Sequence, residues 1–125
     1  MGFFNILKYM VMGLFEKNHF DRIGEVIAPI RLAKMNEAKE TGSRWLVESL
    51  DTFDFNRGED DGGTIFRLMK TDEEVSDYLK KAEKQMEMVV AIIDAQSDPE
   101  DWGIIWREDW ENGSRNAVPM SIAKK

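Results

Sequence analysis

The chain has 125 residues, a formal net charge of −7, one histidine and no cysteine. That length suits one domain with a real core, and a hydrophobic share of 42% with a mean hydropathy of −0.46 fits a globular chain rather than a disordered one. The missing cysteines exclude disulfides, thiol catalysis and cysteine–zinc sites, and no apolar run approaches the length of a membrane span.

The first pattern is FFNILKYMVMGLF, residues 3–15. Phe3, Leu7, Met10, Val11, Leu14 and Phe15 share one helical face, while Phe4, Ile6 and Met12 add apolar surface outside it. Asn5 and Lys8 interrupt the run and no basic segment precedes it, so a signal peptide is a poor reading. Position 6 is Ile, which departs from the myristoylation pattern. The polar face is thin and not basic, unlike a membrane-surface helix. A core helix remains, with Phe3 and Phe4 as candidates for surface that a partner covers. Lys17-Asn18-His19 reads as a turn. Glu16-x-x-His19 is half of a di-iron motif, but the chain holds no second copy, so no metal site is expected.

Ile23, Ile27 and Ile30 form a helical stripe, Leu32 and Met35 begin another, and Pro29 between them predicts a kink or break near Ala28. Thr41-Gly42-Ser43 punctuates: Gly42 can end one helix in the left-handed conformation, and Ser43 can cap a short next one carrying Trp45, Leu46, Val47 and Leu50. Phe53 and Phe55 then alternate with polar residues, an acidic Gly-rich loop follows, and Thr64–Met69 has strand composition. These predict a two-stranded hairpin of 51–55 with 64–69. Counted from Asp54, the loop fails the calcium-hand pattern, with Glu59 where Gly is needed and Ile65 where the bidentate Glu belongs.

The longest regular pattern is 71–96. Thr71-Asp72-Glu73-Glu74 is a capping box, and Val75, Tyr78, Leu79, Ala82, Met86, Val89, Val90 and Ile93 follow at helical spacing. From Met88 to Ile93 every residue is apolar, which places this part at the centre of the core. The β-branched residues there also suit a buried strand, but continuity with the capped helix favours one long helix. Asp98-Pro99-Glu100 reads as a further helix start and Asn112-Gly113 as its stop. Trp102, Trp106 and Trp110 lie four apart between them, a ladder that is either a core stripe or a docking ridge. Trp110, at the helix end, is the ring expected to be partly exposed. Residues 112–125 read as an irregular tail.

The acidity is confined to two places, 51–61 at net −4 and 98–111 at net −5. Phosphate binding needs a basic footprint, so nucleic acid is not expected as a partner. No phosphate loop, nucleophile elbow or metal-ligand spacing is present, and with a single histidine most acid–base schemes lack a member. The expectation is therefore a mainly α, single-domain bundle of four to five helices over 1–125, with a hairpin near 51–69. Its expected role is non-enzymatic, cytoplasmic and without cofactor: a protein–protein interaction protein that forms a homo-oligomer or joins a larger complex. Trp102, Trp106, Trp110, Asp101, Asp109, Asp60, Asp61, Phe3 and Phe4 are its candidate partner-binding residues. Two alternatives stay open: an acidic inhibitor or immunity-type protein masking a basic site on a nucleic-acid-acting enzyme or toxin, and a carboxylate enzyme or metal binder.

Overall fold

The structure, a computed structural model, describes residues 17–124. The Phe3–Phe15 run, with Phe3 and Phe4, lies outside the described residues. The elements are α1 (Lys17–Thr41), β1 (Trp45–Asp51), α2 (Thr52–Asn56), β2 (Thr64–Met69), α3 (Asp72–Ala82), a 3-10 turn (Glu83–Gln85), β3 (Glu87–Asp94), β4 (Gly103–Ile105), α4 (Arg107–Glu111), β5 (Val118–Pro119) and α5 (Met120–Ala123). All five strands form one antiparallel sheet in the order β2-β1-β3-β4-β5. The expected helical bundle is therefore wrong. The molecule is a sheet with α1 against one face and α3 and α4 against the other.

Each face has its own core. Met35 and Ala38 of α1 pack with Leu46, Ala91, Ile93, Ala95 and Ile104. On the opposite face Val75, Tyr78, Leu79 and Ala82 of α3 and Trp110 of α4 pack with Trp45, Val47, Val89, Ile92 and Ile105. This arrangement explains the two largest errors of sequence reading. β1 is a central strand covered on both sides, so Trp45-Leu46-Val47 shows no alternation and resembles a short helix. β3 is likewise covered on both sides. It also carries a bulge: Glu48 pairs with Ala91 and Ser49 with Val89, which leaves Val90 as the extra residue. The bulge turns both Val90 and Ala91 toward the α1 face and removes the period of two.

The long helix expected over 71–96 ends at Ala82. Its start is as the sequence indicates, with the Thr71 hydroxyl accepting the Glu74 N–H at 3.1 Å. Its end is set by the 3-10 turn and by Met86, which takes the left-handed conformation (φ 59°) and sends the chain back as β3. Conversely, α1 runs unbroken through Pro29. A proline inside a helix costs about 3 kcal/mol. Burial of Ile23, Ile27 and Met35, at about 1.5–3 kcal/mol each, outweighs that cost. Lys17-Asn18-His19 is its first turn rather than a loop. Gly42 (φ 74°) ends it as expected.

The hairpin exists with a different first strand. β2 pairs with 45–50 rather than 51–55, and Leu50 lies opposite Thr64. Asp51 instead caps α2, its carboxylate accepting the N–H groups of Phe53 and Asp54. Gly63 is required where this turn closes. Its φ is 70°, and a Cβ there would lie 2.8 Å from the Asp54 Cβ and 2.9 Å from the Asp51 carbonyl oxygen.

Candidate functional site

The tryptophan ladder is divided between the two faces. Trp102 and Trp106 flank β4 and Ile104 is its middle residue; along extended chain the even positions share a side, and all three pack on the α1 face. Ile105 faces the other way and joins Trp110. The expected single helix over 98–112 is replaced by a turn, β4 and the five-residue α4; only its stop at Asn112-Gly113 holds. Trp110 is 2% exposed, against the expectation, whereas Trp102 and Trp106 are half-buried.

Trp110 belongs to the core. Its ring meets Trp45 edge-on at 5.0 Å, its Nε1–H donates to Ser76 Oγ at 3.1 Å, and the Arg115 guanidinium lies 3.6 Å above it. Arg115 also donates to Asp72, which accepts the Trp45 Nε1–H at 2.7 Å through its other oxygen. Those contacts leave Trp110 no free face for a partner.

Trp102 and Trp106 instead line an open cleft of about 560 Å³ between α1 and the β4 side of the sheet. Its α1 wall is Asp21, Gly24, Ala28 and Arg31, one stripe at helical spacing. The floor is Ile27, Val90, Ala91 and Ile104, and Met120 and Lys124 of the C-terminal segment close the far side. Arg31 donates from Nε (3.0 Å) and Nη2 (2.8 Å) to Glu48 Oε1, a carboxylate only 6% exposed, and stacks 4.5 Å from the Trp102 ring. This part-buried ion pair holds the guanidinium against the Trp102 ring. Asp101 secures the far wall. Its carboxylate accepts the Ser121 N–H and hydroxyl, at 2.9 and 2.8 Å, and both bonds hold its pKa below the ordinary value.

The acidic candidates do not form one surface. Asp60 is exposed, and Asp61 folds its carboxylate onto the Gly63 N–H at 2.8 Å; both lie in the loop joining β1 and β2. Asp101 leads into β4, which pairs with Asp94 at the opposite end of the sheet, and exposed Asp109 sits on α4. The seven residues of β1, about 23 Å at strand rise, separate the two ends.

One polar cluster escaped sequence reading because its members are far apart in the chain. Ser49 Oγ lies 2.8 Å from the Tyr78 hydroxyl, Tyr78 donates to Glu87, and Arg67 donates to both Glu87 oxygens at 2.9 and 3.0 Å. Burial, then the bond to Glu87, pushes the Tyr78 pKa up; the bonds to Glu87 and Tyr78 raise that of Arg67. Ser49 is 0% exposed and Tyr78 8%, whereas the Arg67 side chain reaches the surface. Among the described residues no three histidine or carboxylate side chains gather as a metal site, and no helix is long and apolar enough to cross a membrane.

Compared with family models, with curated proteins and with solved structures, the chain matches none.

Proposed function

We propose that this is a non-enzymatic binding protein that grips an apolar segment of a protein partner in the cleft between α1 and β4. The observation that supports this reading is the pair of half-buried indole rings, Trp102 and Trp106, in the walls of an open, mostly apolar groove. Tryptophans in such grooves are the usual anchors of protein recognition. Arg31 is neutralised by Glu48, so Asp21 and Glu25 outnumber Lys124 at the rim. A segment with a basic flank fits best, in keeping with the acidity of the whole chain.

The test is selection from a random-peptide display library against the wild-type protein and against Ala28→Trp. Ala28 is exposed on the cleft wall, so the larger side chain fills the groove without entering the core. Apolar peptides carrying Lys or Arg, enriched on wild type and weakened at least tenfold by Ala28→Trp, support the reading. Absence of enrichment, or equal binding to both proteins, removes it.

A further inference from the structure

The two edges of the sheet are built differently. β5 is two residues long, contains Pro119, which has no N–H to offer, and turns at once into α5. β2 is six residues, Thr-Ile-Phe-Arg-Leu-Met, with neither Pro nor Gly and a regular register on β1. Among the described residues its one backbone bond outside that ladder is from the Thr64 N–H to Asp61. A long apolar edge is normally blunted by an outward charge, a proline or a bulge. The one charge on β2 is Arg67, and its guanidinium is drawn to Glu87 and the Tyr78 ring on the α3 face.

Beside this edge lies an apolar flank of α1. Val26 and Ile30, one turn apart, are 39% and 43% exposed. They lie on the side of α1 away from the cleft stripe, next to Ile23, whose Cδ1 is 3.0 Å from the Cβ position of Gly62 in the loop before β2. We propose that β2 pairs antiparallel with β2 of a second copy, making a two-fold dimer with one continuous ten-stranded sheet. Two-fold pairing of this kind keeps both copies of α1 on the same side and brings the Val26–Ile30 flanks together. It also sets Lys70, just past β2 in one copy, beside the Glu59-Asp60-Asp61 loop just before β2 in the other, and does so twice. That charge complementarity selects a second copy over an unrelated strand. The surface is separate from the cleft, and either assignment stands without the other.

Sedimentation equilibrium of the full chain should give about twice 14.5 kDa at tens of micromolar. Ile30→Lys should weaken association at least tenfold with an unchanged circular dichroism spectrum. Lys70→Glu should weaken it too, and adding Asp60→Lys should recover part of the loss, since Asp60 is exposed and the change lowers the facing loop from −3 to −1. Backbone amides of 65–69 should exchange more slowly at high protein concentration than at low. A monomer at 100 micromolar overturns the proposal, as does a dimer in which those amides show no concentration dependence. A full chain that pairs only after residues 1–16 are removed also overturns it, because the edge is then covered by the chain's own N-terminal segment.

Discussion

At the level of single residues, the most informative group is the Tyr78 hydroxyl, held between Ser49 and Glu87 under α3. Burial and the neighbouring carboxylate raise its pKa above the ordinary 10.0. A tyrosine whose folded pKa is raised contributes stability that is fully present below pH 10 and is lost as pH climbs through the folded value, because the unfolded chain releases the proton first. Tyr78→Phe should cost about 1–2 kcal/mol at pH 7, since Ser49 loses a buried partner. It should also make stability fall less steeply between pH 9 and 11. Urea unfolding of both proteins across that range measures it, and parallel pH profiles would contradict the assignment. No sequence pattern announces this cluster: Ser49, Arg67, Tyr78 and Glu87 come from four elements and meet only when the sheet forms.

At the level of elements, what could be read from the chain was what is encoded locally. The Thr71 N-cap, the Gly42 stop and the Asn112-Gly113 stop are contacts within a few residues, and they are where expected; the Glu74 carboxylate meets the Thr71 hydroxyl rather than its N–H. The end of α3 was hidden because its reversal uses Met86 in a conformation that normally selects Gly. Without a visible break, Met88–Ile93 read as more helix, although an all-apolar run equally describes a strand covered on both faces. The tryptophans misled for a related reason. A spacing of four repeats on one side of a helix and also on one side of a strand, so Trp102 and Trp106 could be read as sharing a side without revealing which element carries them. Met86 offers a direct check. A non-glycine residue in the left-handed region costs about 1–2 kcal/mol, and Met86 is exposed enough to lose little packing when replaced. Met86→Gly should raise stability by up to about 1 kcal/mol, the remainder being absorbed by glycine's greater freedom when unfolded. Met86→Ile, branched at Cβ, should lower it. Denaturant midpoints of the two variants that move in the same direction would show that this turn is not the strained reversal described.

At the level of the whole molecule, the sheet is the shared wall of two cores, and its middle strands carry both. β1 is bonded on each side, to β2 and β3, and places Trp45 and Val47 in one core and Leu46 in the other. β3 divides Ile92 and Ile93 in the same way. The far side of the cleft is built more lightly. Among the described residues β5 bonds to β4 alone, Val118 and Ile122 are exposed, and α5 is tied down by the Asp101–Ser121 bonds and by the Met120 N–H to Trp102. Local opening takes the least free energy where buried apolar contacts are few. Hydrogen exchange should therefore be slowest in 46–49 and 91–93 and fastest in 118–123, with Asp101→Asn speeding the latter and leaving the former unchanged. If α5 exchanged as slowly as β1, the cleft would have a rigid far wall, and an incoming segment would have to fit the groove as it stands. With α5 opening first, the groove can widen on the Met120 side while Arg31, Glu48 and the indole of Trp102 keep their places, so a segment bound as proposed would meet one fixed wall and one that yields.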